Sequence, residues 1–248
     1  MKTIFNTRIL VCVALAFAVG LAAQSAEAKR RKKKPKVNGQ AIAELRAQYT
    51  FGMSKKQVLK EVKSQIWERY QEKIGETNDI ATQDRLRKKR NEEYARVVKS
   101  YVAFTGKKTG WEGAIIQREF RHKTRESLLV QEEVDAKTGR DQKRFFFFHK
   151  GKLYKIFVAL SSSTLAVDQR NFPFLRMFME KRFGPGKVAF LTKRDGTEIP
   201  YAVEWDSGKY HAAAIDNMEV FGAFCLSVED QGLRKRVLAV RAKLPKEK

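Results

Sequence analysis

The chain has 248 residues, 43% of them apolar, which is enough for a sizeable core in one large domain or two small ones and excludes global disorder. Lys and Arg outnumber Asp and Glu by 51 to 28, a formal charge of +23. Such a field excludes cationic partners and selects anionic ones, whether nucleic acid, lipid headgroups, acidic polysaccharide or acidic protein, without choosing among them.

The N-terminus is organised in three parts. Lys2 and Arg8 form a short positive stretch, residues 9–23 are almost wholly apolar, and Ala26-Glu27-Ala28 supplies a small-residue cleavage pattern. Fifteen residues of helix cover about 22 Å, short of the ~30 Å hydrocarbon core, so the segment predicts a signal peptide over 1–28 rather than a membrane span. Cleavage is expected between Ala28 and Lys29, giving a periplasmic or secreted protein with no transmembrane span after processing. Removing the leader also removes Cys12 and leaves Cys225 as a single thiol, so no intramolecular disulfide is expected. Next comes a cluster of Lys29, Arg30, Arg31, Lys32, Lys33, Lys34 and Lys36. In isolation it imitates a nuclear-localisation tag. After an apolar leader it reads as a disordered basic tail over 29–40 and as an electrostatic polyanion-binding segment. The same charges oppose translocation, so the competing reading keeps the leader as an uncleaved anchor.

The ordered part opens at Ser54, a good N-cap. Val58, Val62, Ile66, Tyr70 and Ile74 follow in steps of four, one face of a helix. Gly75 and Asn78 interrupt it, and a second, highly charged helix is expected over 79–102. The period then changes to two. Strands are predicted over 114–120, 127–134, 142–149 and 152–160, joined by Gly-containing turns. Phe145 to Phe148 are apolar on both faces, which predicts a central strand covered by helix on at least one side. A helix over 167–183 ends at Gly184-Pro185-Gly186. Further strands are expected over 187–192, 198–205, 209–215 and 219–228, then a short helix over 231–243.

The predicted class is α+β: a helical hairpin plus antiparallel β-meander over 41–165, then a helix, a second antiparallel strand set and a short C-terminal helix over 166–245. The halves are either separate or joined on one sheet. The phrase "FGMSKKQVLKEV" and the strand pair "FFFFHKGKLYKIFVAL" resemble small bacterial envelope modules of the SmpA/BamE type. That resemblance implies a helical hairpin packed on a three-stranded antiparallel sheet, in a periplasmic protein that binds other proteins; the lipobox cysteine of that family is absent here. The chain as a whole resembles uncharacterised secreted bacterial proteins, which implies no activity.

Catalytic chemistry is not legible. "TGKKTG" at 105–110 lacks the earlier Gly of a phosphate loop and reads as a connection between helix and sheet. His122, His149 and His211 are far apart in sequence and read as surface or turn residues, which predicts no metal site. Cys225 lies in an apolar strand, where a thiol is inert core. No cofactor is implied, and an enzyme is disfavoured. The expected function is that of an exported, non-enzymatic envelope protein, a binding or structural module for a protein or polyanion. The alternatives are nonspecific nucleic-acid binding through the tail and the helix "RLRKKR", or a hydrolase with an unrecognised site.

Overall fold

The computed structural model describes residues 36–134, 141–162, 165–193 and 195–245. The expected signal peptide, its expected cleavage point and six of the seven expected tail residues, Lys29 to Lys34, lie outside them.

The first ordered residues correct the expected tail. Lys36 is exposed, but the Asn38 N–H donates to the Phe183 carbonyl at 2.8 Å, and the Asn38 side chain caps helix α1, Gly39–Glu44, by accepting from the Ala41 N–H. Residues 36–40 are therefore docked structure rather than disordered tail. The sequence hides this because the docking uses backbone groups, which carry no composition signal.

Helix α2, Lys55–Gly75, starts at Ser54 with a reciprocal capping box to Gln57. Its stripe Val58, Val62, Ile66 and Ile74 is buried. Helix α3, Ile80–Lys99, is capped by Asp79, which accepts from the Thr82 N–H. Val97 is its one buried residue, so α3 leans on α2 and leaves most of its surface to solvent.

Eight antiparallel strands make one sheet: β1 Val102–Ala103, β2 Glu126–Val134, β3 Asp141–His149, β4 Lys152–Ser161, β5 Lys187–Thr192, β6 Glu198–Asp206, β7 Tyr210–Asn217 and β8 Ala223–Asp230. Their order across the sheet is β1-β2-β3-β4-β8-β7-β6-β5. Each half is a meander, and the last strands of the two halves pair with each other from Lys155↔Glu229 to Ser161↔Ala223. The two predicted halves thus share one continuous sheet, and residues 36–248 form one compact unit. Helix α4, Phe172–Phe183, carries the chain from the sheet centre to its far edge at β5. Helix α5, Met218–Phe221, interrupts the β7–β8 turn, and α6, Gln231–Ala242, closes the fold.

The sheet is covered on both faces. Phe146, Phe148, Leu153, Ile156, Val203 and Trp205 pack with residues of α1, α2 and α4 on one side. Phe145, Phe147, Tyr154, Phe157 and Cys225 pack on the other with Val237 of α6 and with Phe104, Ile116 and Phe120 of the long 104–125 connection. All four consecutive Phe are 0% exposed. Each contributes about 1.5–3 kcal/mol of burial, which makes β3 the anchor of both layers.

Four element boundaries differ from expectation. Residues 114–120 are turns rather than a strand, with Gln117 and Glu119 N–H groups bonding back to Ala114 and Ile116. Ile116 and Phe120 are both buried four residues apart, a spacing that suits a coiled segment as well as a strand. The helix expected to Val102 stops at Lys99, and Val102 enters β1. The helix expected from 167 is a single 3-10 turn, Val167–Gln169, before α4 begins beyond Asn171, whose side chain caps the Phe174 N–H. The strand expected from 219 starts after α5, because Asp216 accepts from the Met218 N–H and Gly222 takes a left-handed φ of 61°.

Candidate functional site

Two charged regions stand out, one outside the core and one inside it. The outer region is the α2–α3 hairpin. Lys63 Nζ lies 4.9 Å from the Trp67 ring centre, and the Arg90 guanidinium lies 4.5 Å from it. Trp67 meets Tyr94 edge-on at 5.8 Å. These contacts are cation–π pairs that hold two cations and two rings together on the surface of the hairpin. Arg69 is paired to Glu93 and Arg87 to Asp84. Lys88, Lys89, Arg96 and Lys99 on α3 are exposed and have no carboxylate partner among the described residues. Among the described residues α3 thus carries a surplus of cations without an ion-pair partner.

That surplus is not confined to the tail. Residues 36–248 hold 43 Lys and Arg against 27 Asp and Glu, a balance of +16. Of the seven predicted polyanion-binding residues, Lys36 is described, and it is exposed at the foot of α4.

The inner region lies on the α6 side of the sheet. A β-bulge between β3 and β4 breaks the alternation, so Tyr154 packs on this face together with Lys155. Glu126 at the start of β2 is buried beside them. Its carboxylate accepts from Tyr154 Oη at 2.5 Å, the Thr124 hydroxyl at 2.6 Å, the Arg121 N–H at 3.2 Å and Arg241 at 2.5 and 3.0 Å. Five hydrogen bonds thus tie the 104–125 connection, β2, β4 and α6 to one carboxylate. Lys155 pairs with Glu119 at 2.5 Å and Glu229 at 3.0 Å, and Arg234 approaches Glu229 at 3.5 Å.

The electrostatics follow from burial and these pairs. Burial disfavours the Lys155 ammonium, but Glu119 and Glu229 together outweigh it and hold its pKa above the ordinary value. Burial likewise opposes the Glu229 carboxylate, and Lys155 with Arg234 outweighs it, so Glu229 titrates below its usual range. Burial, reinforced by Glu126, pushes the Tyr154 hydroxyl well up. Burial raises the Cys225 thiol to about 12, which makes it a poor nucleophile at neutral pH, as its strand setting implied. His211 lies beside this network. It lines a polar cavity of about 230 Å³ with Glu204, Ser227 and Arg234, and burial with nearby Arg234 lowers its pKa.

The histidines correct an expectation. His149 and His211 are 6% and 8% exposed, not surface residues. His122 is half-buried and bonds Glu112 at 3.0 Å. Glu112 also explains the "TGKKTG" loop. Its carboxylate accepts from the Thr109 and Gly110 N–H groups and from the Thr109 hydroxyl, which pulls its pKa down to about 2. The Thr109 and Gly110 donors of the loop are thus committed to an internal carboxylate.

Sequence reasoning missed Glu126, Lys155, Glu229 and Arg241. One signal was present: Lys155 breaks the apolar run of "YKIFVAL" on a central strand. The bulge that aims it is invisible without the partner strand.

No family model and no curated protein matches the chain. Among solved structures, a cysteine-rich secretory protein from Staphylococcus aureus aligns at 8% identity and a TM-score of 0.27, over 56% of this chain and 50% of its own. This chain therefore spans about half the length of that protein. No helix among the described residues is long and apolar enough to cross a membrane.

Proposed function

We propose that the protein is an exported, non-enzymatic module of the bacterial envelope that binds polyanions. One observation carries the reading: without the tail residues 29–36 the chain from residue 37 keeps 42 Lys and Arg against 27 Asp and Glu, a balance of +15, with Lys88, Lys89, Arg96 and Lys99 lacking a carboxylate partner among the described residues on one helix. The leader-like N-terminus supports export. The hairpin-and-meander order that the SmpA/BamE resemblance implies supports a binding role in the envelope. The tail and the hairpin act together, each cation adding attraction that salt screens.

Titration of the full mature chain with heparin, anionic vesicles and duplex DNA at two ionic strengths tests the binding. The reading predicts a steep fall in affinity with salt for all three probes and no sequence preference on DNA. Affinity independent of salt, or no binding at low salt, overturns it. Nucleic-acid binding is the second reading. Trp67 and Tyr94 beside Lys63 and Arg90 favour it, because rings among cations can stack on bases. It predicts that single-stranded DNA outcompetes heparin at equal charge. Mass spectrometry of the N-terminus in fractionated cells tests export: Lys29 first and a periplasmic or secreted fraction support it, and an intact Met1 in the cytoplasm refutes it.

A further inference from the structure

Small side chains hollow out one patch of the sheet on the α6 side. Ala202, Ala213 and Ser227 stand there on β6, β7 and β8, whereas β3 and β4 fill the same face with Phe145 and Phe157. A second bulge, at Tyr201 of β6, leaves that residue without a partner on β5 and brings it to the hollow. The result is the polar cavity of about 230 Å³, bounded by α6 and the 104–125 connection. That is the share of roughly seven water molecules in the liquid, room for one small organic molecule. Two buried polar side chains line it unpartnered. His211 and Ser227 are 8% and 3% exposed, and neither side chain makes a hydrogen bond among the described residues. Buried polar groups are rarely left so.

Charge selects the occupant. The lining carries four cations and three carboxylates, and Glu126 against Arg241 adds a fourth carboxylate, so the surroundings are neutral overall. Pairing within them is uneven. Lys155 is held by Glu119 and Glu229, and Arg241 by Glu126. Arg234 keeps one 3.5 Å contact, from Nε to Glu229, which leaves its two terminal nitrogens without a carboxylate among the described residues. Arg118 and Glu204 line the cavity and form no ion pair among the described residues. Lys187 stands opposite Glu204 on β5 but does not line the cavity. Burial and Glu204 raise the Tyr201 pKa and Arg118 lowers it, so both unpaired charges reach the same hydroxyl. The two arginines can grip a carboxylate, and Glu204 can take an ammonium. A simple anion would leave Glu204 unanswered, and a simple cation would leave the arginines so. Ile115 and Leu238 add apolar surface for a side chain. We propose that this cavity binds a free α-amino acid with a small apolar side chain, its carboxylate on Arg118 and Arg234 and its ammonium on Glu204.

This site is separate from the hairpin, and its test does not rest on polyanion binding. The full mature chain is titrated calorimetrically with glycine, alanine, valine and leucine at physiological salt. The N-acetyl and amide forms of each, and inorganic phosphate, are titrated beside them. The expected result is saturable one-to-one binding of at least one amino acid, weakened about tenfold or more by N-acetylation and by amidation. Glu204→Gln should weaken the amino acid about tenfold and abolish the preference over its N-acetyl form. Arg118→Gln should weaken it and narrow the preference over its amide. Lys88→Gln/Lys89→Gln on α3 should change nothing. Glu204 and Arg118 have no ion pair to lose among the described residues, so unchanged melting temperatures are expected and check that both variants fold. The analogue series on the unaltered chain reads the same charges without any substitution. No saturable binding, equal binding of the N-acetyl form or of phosphate, or binding that survives both cavity variants overturns the proposal.

Discussion

Lys155 and Glu229 stand directly opposite each other on β4 and β8, the strands that join the two meanders, and close a 3.0 Å ion pair there. Glu119, from the 104–125 connection, caps the same ammonium from above. The seam between the halves thus carries a buried ion pair on the α6 side of the sheet.

Replacing Lys155 by Met leaves the Glu119 and Glu229 carboxylates without their shared cation, with Arg234, 3.5 Å from Glu229, as the remaining partner. The expected cost is about 3–5 kcal/mol at pH 7, read by urea unfolding. Glu229 titrates below its ordinary 4.5, so its contribution is present above that value and is lost as pH falls through the depressed one. Lys155 titrates above its ordinary 10.5, so its contribution is present below that value and is lost as pH rises further. The gap between wild type and Lys155→Met should therefore be widest from about pH 5 to pH 10 and narrow in acid.

Glu126→Ala removes the acceptor of five hydrogen bonds and strands Arg241, which is 17% exposed at its side chain, inside the fold. A loss of about 3–5 kcal/mol is expected. Because the same carboxylate holds the 104–125 connection, hydrogen exchange should accelerate there and in α6 before the β5–β7 strands respond.

His149 has a buried Nε2 with no partner among the described residues. Burial lowers its pKa from the ordinary 6.5, with Lys150, Arg125 and Arg241 adding to the effect and Glu126 opposing it. The unfolded chain then takes up a proton that the folded chain refuses, so stability falls as pH drops below 6.5. His149→Leu keeps the volume and removes the unpaired nitrogen. Stability at pH 7.5 should be equal or up to about 1 kcal/mol higher, and the loss between pH 7.5 and 5.5 should be smaller than in wild type.

Gly186 follows the stop after α4. A Cβ there would overlap the Val203 side chain and lie 2.8 Å from the Trp205 ring, which is fixed by its own 2.8 Å bond to the Gly184 carbonyl. Both obstacles are buried in the core. Gly186→Ala should cost about 1–3 kcal/mol by calorimetry or denaturant unfolding. Gly113→Ala, with open space around its Cβ and no left-handed φ, is the control for glycine substitution itself.

Local patterning made most of the fold legible. The step-of-four stripe gave α2, alternation and Gly turns gave β2–β4 and β6–β7, and Gly184-Pro185-Gly186 gave the end of α4. The segment 114–120 was misread because Ile116 and Phe120 satisfy two periods at once. The inner charged network was illegible for another reason. Glu126, Lys155, Glu229 and Arg241 come from four separate elements, and the bulge at Tyr154 depends on pairing with β3. The free cations of α3 were visible as composition, but which of them find carboxylates is decided by side-chain reach across the hairpin.

The central claim is that the folded hairpin, and not the tail alone, binds polyanions. The direct measurement is the salt dependence of heparin affinity for two variants of the mature chain. One carries Lys88, Lys89, Arg96 and Lys99 changed to Gln. The other carries Lys29, Arg30, Arg31, Lys32, Lys33, Lys34 and Lys36 changed to Gln. Each lost contact should lower the slope of log affinity against log salt by about one. The account predicts a reduced slope in both variants, with measurable binding left in the tail variant. An unchanged slope in the α3 variant, with binding abolished in the tail variant, would contradict it.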